Sequence, residues 1–254
     1  MRSPRRNGVL LELSKYENLR IRPKGDPVMR QQWRELLFLH FSVEVEEVQR
    51  LLPKGLSVDP WEGRAWIGLV PFRMQGIRPN WGPAFPWLSA FPETNIRTYV
   101  HHRGRDPGVW FFSLDAARWL ACRYARAAFR LPYFHASMSV RRANGKVEYR
   151  SRRRESPKPA LLEISATVGP ETRVAQPGTF EFFLVERYLL YAERHGRLFQ
   201  GRVHHPPYPL RDVESRTVEE SLVGHIGLKT RAWESALFSD GVDVDVFPLE
   251  EVRP

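Results

Sequence analysis

Residues 133–153 read YFHASMSVRRANGKVEYRSRR, and this stretch decides the fold class of the chain. At its centre lies Asn144-Gly145, the dipeptide that most strongly favours a two-residue β-hairpin turn. The flanking runs 133–142 and 146–153 are therefore predicted to be two antiparallel strands. The arginines of this segment would then lie on the solvated face and at the end of the hairpin.

Turn signals of the same kind recur along the rest of the chain. They predict three more strand pairs, which are 56–60 with 64–74, 94–102 with 109–115, and 188–193 with 197–204. Single strands are predicted at 36–41, 161–168, 233–238 and 242–247. Apolar residues at helical spacing, together with end signals, predict short helices at 42–52, 116–129, 180–185 and 217–222.

Hairpins dominate this pattern, so the sheet should be mainly antiparallel. A sheet of about ten or more strands usually closes or folds over to protect its edges. We therefore predict an α+β fold built around a closed or nearly closed β-barrel with a few short helices. A length of 254 residues fits one domain, 1–254, with residues 1–27 as a peripheral extension.

The cysteine count and the apolar runs indicate a cytoplasmic protein. The single cysteine, Cys122, cannot form an internal disulfide, which fits a reducing compartment. The basic N-terminus is followed only by the short run 9–13, whereas a secretory signal needs roughly 7–15 apolar residues. No apolar run approaches the roughly 18 residues of a membrane span, so we expect no membrane association.

A net charge of +10 raises the question of nucleic-acid binding. The densest basic cluster lies on the predicted hairpin at 141–154. A solvated strand face explains this cluster, and a phosphate-binding patch is the alternative. No helix-turn-helix, zinc-finger or RNA-recognition signature accompanies it, so we do not expect nucleic acid as a partner.

Sequence motifs give no support for a bound cofactor or metal. The chain lacks the glycine-rich dinucleotide motif, the Walker A loop, the H-E-x-x-H zinc motif and the G-x-S-x-G nucleophile motif. Two histidine doublets, His101-His102 and His204-His205, lie on predicted strands. Neighbours on a strand point to opposite faces, so each doublet offers one ligand to a given site at most. We predict neither a cofactor nor a metal.

Several strings in a fixed order closely resemble the YqjF-like family of uncharacterised bacterial proteins, over roughly residues 30–240. These strings are Trp33-Arg34, Leu39-His40-Phe41, Leu51-Leu52-Pro53-x-Gly55-Leu56, Ala65-Trp66-Ile67-Gly68-x-Val70-Pro71-Phe72, Glu93-Thr94-Asn95-Ile96-Arg97-Thr98-Tyr99-Val100, Gly108-Val109-Trp110-Phe111-Phe112-Ser113-Leu114-Asp115-Ala116, Ala125-Arg126, Leu131-Pro132-Tyr133, Glu186-Arg187-Tyr188 and His204-His205-Pro206. Each string alone is weak, and their combination is specific.

The resemblance implies a fold more than a function. The family is distantly similar to acetoacetate decarboxylase, a closed β-barrel enzyme with an internal pocket. Such decarboxylases use a lysine that forms a Schiff base with the substrate. In the analogous stretch here, Tyr133 and Phe134 stand where the lysine pair would be. A phenol or a phenyl ring cannot form an imine, so Schiff-base decarboxylation does not carry over.

The predicted strand 94–102, with Glu93 before it, supplies the centre of a candidate pocket. Glu93, Asn95, Arg97 and Tyr99 share one face of this strand because side chains alternate. The long aromatic segment 75–92 precedes it, and a loop of that length usually covers something. The remaining candidates, on neighbouring segments, are Ser113, Asp115, Arg126, Tyr133 and Arg187. Structural ion pairs, such as Glu93 with Arg97 or Asp115 with Arg118, are the alternative interpretation.

Three functions remain open from the sequence. The first is a barrel pocket for a small carboxylate or carbonyl compound, where an arginine clamps the anion and a buried carboxyl group moves a proton. The second is a non-catalytic binding or regulatory module that uses the same pocket. The third is nucleic-acid binding through the basic hairpin. The sequence leaves catalysis, the ligand and the oligomeric state open.

Overall fold

The computed structural model describes residues 16–83, 89–154 and 160–252. Twelve strands lie within these ranges: β1 Met29–Val43, β2 Leu56–Val58, β3 Ala65–Pro79, β4 Phe91–His102, β5 Arg105–Ala116, β6 Tyr133–Ala143, β7 Lys146–Arg153, β8 Leu161–Val168, β9 Leu189–Arg194, β10 Arg197–His204, β11 Leu210–Glu220 and β12 Ser235–Glu251. The helices are Val45–Gln49, Trp119–Ala128, Phe180–Val185 and a 3-10 turn at Val223–Ile226, and residues 16–20 are also helical.

The strands close into a large ring. Nine of them follow one another around it, in the order β5, β6, β7, β8, β11, β12, β1, β3 and β4, and β4 returns to β5. Only the β5–β6 and β5–β9 pairings are parallel within the described residues, and the others are antiparallel. The predicted fold class, mainly antiparallel and closed with few short helices, is confirmed.

A second ring shares part of the first. Strand β9 pairs with β5, and β10 pairs with both β9 and β12. This connection closes a seven-stranded ring of β12, β1, β3, β4, β5, β9 and β10. Strands β12, β1, β3, β4 and β5 therefore belong to both rings.

The two rings have separate interiors, and the shared strands are buried on both faces. On β1, Leu36 and Phe38 pack into one hydrophobic cluster, whereas Leu37 and Leu39 pack into the other. Because side chains alternate along a strand, burial on both faces requires an unbroken apolar run. This explains the run at 36–41 that predicts a strand.

Three local predictions are wrong. The run 56–60 does not pair with 64–74, because β2 pairs with the far end of β4. Residues 217–222 are not helical, because 217–220 belong to β11, where they pair with β8. The runs 233–238 and 242–247 are not separate strands, because β12 continues through Gly241. A Cβ at Gly241 would collide with the backbone carbonyl of Trp33, and its φ of 132° suits glycine alone.

The described helices include none with the length and apolar character needed to cross a membrane. The single-domain assignment and the cytoplasmic location stay predictions.

Candidate functional site

A cavity of about 560 Å³ lies inside the seven-stranded ring. All seven strands of the ring contribute side chains to its lining, and so does the helix Trp119–Ala128. Most of these side chains are apolar. A volume of this size falls within the range typical of small-molecule sites, roughly 300–1,000 Å³.

Strand β4 supplies a row of polar side chains to this cavity. Glu93, Asn95 and Arg97 all line it, and all three are buried. They face the cavity together because they occupy every second position of the strand. Ile96, which lies between two of them, points the other way and packs into the cluster that contains Leu37 and Leu39. The face predicted from the alternation is therefore the one that the fold turns inward.

The mouth of the cavity lies beside the beginning of β4. Three apolar lining residues are exposed, namely Trp81 at 90%, Leu120 at 49% and Val28 at 41%. Leu120 belongs to the helix Trp119–Ala128, whose Ala121 and Ala125 also line the cavity. Trp81 and Phe91 come from the segment predicted to form an aromatic cover, whereas Phe85 and Trp87 lie outside the described residues.

Glu93 and Tyr133 form a carboxyl–phenol pair in the cavity wall. The Tyr133 hydroxyl donates to Glu93 Oε2 over 3.0 Å. Burial raises the pKa of Glu93 to about 8, the hydrogen bond from Tyr133 opposes this rise, and the negative charge of Asp115 adds to it. Burial also raises the pKa of Tyr133 well above its usual value. Near neutral pH, Glu93 is therefore largely protonated yet able to ionise.

Arg97 is a buried cation without a counter-ion among the residues that the structure describes. Its guanidinium donates from Nη2 to Leu184 O over 3.0 Å and lies over the rings of Phe38 and Tyr99, 5.6 and 5.7 Å from their centroids. In the described part of the chain, no carboxylate oxygen lies within 4.0 Å of its nitrogens, and its Nε has no hydrogen-bond partner. Burial of a charge without a counter-ion is costly.

Arg187 is the second arginine of the lining, and it is neutralised. Its Nη1 lies 2.6 Å from Asp59 Oδ2, and its Nε donates to Phe183 O over 2.8 Å. Its Nη2 and the side-chain oxygen of Asn95 are buried and have no hydrogen-bond partner within the described residues. Both side chains therefore retain hydrogen-bonding capacity beside the cavity.

The other four predicted site residues lie outside the cavity lining. Tyr99 continues the β4 row but is fully buried, and its hydroxyl donates to Leu184 O over 2.6 Å. Asp115 forms an ion pair with Arg153, and Ser113 lies on the same side of β5 as Asp115, away from the cavity-lining Leu114. Arg126 is exposed, and its Nε donates to Tyr133 O over 2.6 Å. We assign these residues to support of the walls.

Several buried polar residues near the site escaped the sequence reasoning. His40 Nε2 lies 2.7 Å from the Tyr99 hydroxyl, which already donates to Leu184 O, so His40 is the donor. Burial lowers the pKa of His40 well below its usual value, and so does the nearby charge of Arg97. Asp59 was also missed. A histidine inside the apolar string Leu39-His40-Phe41 was the one available signal.

No group of metal-binding side chains occurs among the residues that the structure describes. None of the lysines in this part of the chain lines the cavity. On the basic hairpin, Arg142 pairs with Asp240 and Arg153 is buried against Asp115, so the predicted cluster is divided among different environments.

Solved structures define the class of this fold. The enduracididine biosynthesis enzyme MppR complexed with pyruvate superposes with a TM-score of 0.65 at 14% identity, over 91% of this chain and 93% of that one. The acetoacetate decarboxylase of Legionella pneumophila superposes with a TM-score of 0.64 at 11% identity, over 92% of each chain. The chain therefore has an acetoacetate decarboxylase-like fold.

Sequence comparison identifies the family. The model of the DUF2071 family, described as an uncharacterized conserved protein, matches residues 30–243. The protein YqjF of Bacillus subtilis strain 168 is 36% identical over 231 residues, which cover 90% of this chain and 94% of YqjF. The chain belongs to the DUF2071 family, and the YqjF-like resemblance is confirmed.

Proposed function

We propose that the cavity binds a small organic anion, a carboxylate or a carbonyl compound that carries one, and that Arg97 holds its negative group. The observation that carries this proposal is the buried guanidinium of Arg97, 8% exposed and without a carboxylate partner in the described residues. A ligand carboxylate would supply the missing counter-ion and accept charge-assisted hydrogen bonds. The free hydrogen-bonding capacity of Asn95 supports a polar ligand group at the same place.

Glu93 and Tyr133 supply the chemistry of this proposal. A carboxyl group with a pKa of about 8 exchanges a proton near neutral pH, which is the property required of a general acid or base. Tyr133 holds the carboxyl group by its hydrogen bond and keeps one oxygen oriented. We therefore propose proton transfer at a carbon or oxygen beside a carbonyl group.

The fold comparison supports a carbonyl ligand without transferring a mechanism. A structure with the same fold is described as complexed with pyruvate, a small oxo acid. No described lysine lines the cavity, and the family resemblance implies Tyr133 at the place of the decarboxylase lysine, so we propose no Schiff base.

Deuterium exchange tests the proposal directly. The protein is incubated in D2O with pyruvate, and separately with longer 2-oxo acids. NMR then follows the loss of signal from the protons on C3, the carbon next to the keto group. We expect exchange that Glu93→Gln reduces at least about a hundredfold, the usual size of a general-base contribution. Glu148→Gln is the matched control, because Glu148 is an exposed residue on β7.

Binding measured in the same samples separates the two functions that share this pocket. Binding that depends on Arg97 without any exchange would identify a non-catalytic binding module. If no carboxylate binds, both functions of the pocket are rejected.

A further inference from the structure

We infer that the ligand of this cavity is an amphipathic monoanion, bound with its carboxylate at Arg97 and its apolar tail directed to the mouth. This inference rests on the proposed function and adds the class and orientation of the ligand. It follows from the direction of β4, the composition of the walls and the charge balance of the site.

Strand β4 runs from the mouth into the interior. Phe91 begins the strand and pairs with Met74, and both line the cavity together with the exposed Trp81. Arg97 lies six residues further along, which corresponds to roughly 20 Å of extended strand. The anion-binding group is therefore at the inner end, and Glu93 lies between this group and the mouth.

Apart from Glu93 and a few other polar groups, the wall between the two ends is apolar. The apolar side chains are aliphatic, aromatic or thioether groups from four strands and one helix, among them Met29, Phe72, Phe91, Phe111, Leu114 and Leu120. A ligand as short as acetate would leave this surface in contact with trapped water. An attached hydrocarbon tail covers it, and each buried methylene contributes to the affinity.

The charges around the cavity leave one positive charge for the ligand. Arg187 is paired with Asp59, and Asp115, outside the lining, is paired with Arg153. The Glu93 carboxyl is largely neutral at pH 7, because its pKa is about 8. Of the arginines that line the cavity, Arg97 alone has no counter-ion in the described residues, so a single negative charge balances the site.

A chain-length series tests the inference. Calorimetric or thermal-shift titrations at pH 7 use acetate, butyrate, octanoate and dodecanoate, with 1-octanol as the ligand that lacks the carboxylate. We expect the affinity to rise about fourfold per methylene until the cavity is filled. Arg97→Gln should remove most of the affinity for octanoate. Arg150→Gln, an equal change of charge at an exposed position, should not affect it.

A second variant addresses the direction of the tail. Ala125→Phe narrows the outer part of the cavity, so it should weaken dodecanoate more than butyrate. Circular dichroism of each variant without ligand establishes that it is folded.

The outcomes distinguish the inference from the function on which it rests. If butyrate binds through Arg97 as tightly as dodecanoate, the inference is overturned and the proposed function stands. Tight binding of 1-octanol that is unaffected by Arg97→Gln rejects the carboxylate head. If no member of the series binds, the inference is overturned, and the proposed function fails as well if the 2-oxo acids of the exchange experiment do not bind either.

Discussion

Among single residues, Glu93 links the proposed chemistry of the cavity to the stability of the protein. Its side chain is 3% exposed, and its pKa rises from the ordinary 4.5 to about 8 on folding. The folded state therefore binds a proton more tightly than the unfolded state. Between pH 4.5 and pH 8, stability falls as the pH rises, by up to roughly 1.4 kcal/mol per pH unit from this group.

Glu93→Gln should remove this dependence. The amide has the size of the protonated carboxyl group and still accepts a hydrogen bond from Tyr133. We expect the variant to gain stability relative to the natural protein as the pH rises from 5 to 8. Urea unfolding of both proteins across this pH range measures the difference between their free energies of unfolding. The contributions of the other titrating groups are common to both proteins and cancel in this difference. Two curves that stay parallel would show that Glu93 is not buried as described.

Alternation along one strand was enough to place Glu93, Asn95 and Arg97 on a common face. It could not identify the partners of the site residues, because those partners come from strands far away in the sequence. The pairing of Asp115 with Arg153 is an example, since it spans 38 residues and depends on how β6 lies between them. The predicted alternative, a pair between Asp115 and Arg118, does not form.

Among the structural elements, the two shortest joints of the nine-stranded ring are β11–β12, with three residue pairs, and β5–β6. Only three residue pairs connect the parallel strands β5 and β6, beginning with Leu114 and Tyr133. Arg153 of β7 reaches across β6, lies 3.9 Å over the ring of Phe134 and binds Asp115 of β5 at 2.6 Å. A buried ion pair thus reinforces this joint.

Asp115→Asn should therefore destabilise the protein strongly. It leaves the guanidinium of Arg153, 4% exposed, without its counter-ion, and such losses cost about 3–5 kcal/mol. Adding Arg153→Met should restore much of the stability, because the uncompensated charge is then gone. Urea unfolding measures both effects.

The matched control is an ion pair near the surface. Asp240→Asn breaks the pairs with Arg142 and Arg211, which are partly exposed, so each should cost about 1 kcal/mol or less. Asp240 and Arg211 lie at β11–β12, the other short joint, so the comparison isolates the effect of burial. Equal losses for Asp115→Asn and Asp240→Asn would contradict the reinforcing role of the buried ion pair.

Sequence patterns predicted most helices and strands correctly. They failed where pairing with a distant segment determines the local structure. The strand 161–168 and the helix 180–185 have the predicted bounds, because alternation and capping are local properties. Residues 217–222 carry apolar groups at a spacing that also fits a helix, but β8 offers a free edge and 217–220 pair with it. The β2–β4 pairing has no local signal, since it joins segments about forty residues apart.

For the molecule as a whole, the two interiors depend on the same strands. Strands β9 and β10 complete the ring around the cavity. Strands β6, β7, β8 and β11 complete the ring around the second hydrophobic cluster, which contains Leu37 and Leu39 and is called the filled interior. Strands β12, β1, β3, β4 and β5 belong to both rings. Neither ring can open fully without exposing one face of these shared strands. The predicted single domain thus has a physical basis that an unfolding experiment can examine.

We predict that damage to the filled interior lowers the stability of the cavity ring by the same amount. Ile164 is 3% exposed in the filled interior, on β8, so Ile164→Ala should cost about 2–5 kcal/mol. If both rings unfold together, hydrogen exchange measured by mass spectrometry should show equal losses of protection in peptides from 146–168 and from 189–204. The urea transition should stay single and shift to lower concentration. Loss of protection confined to 146–168, or two separate transitions, would show that the rings unfold independently and that the chain has two cooperative units.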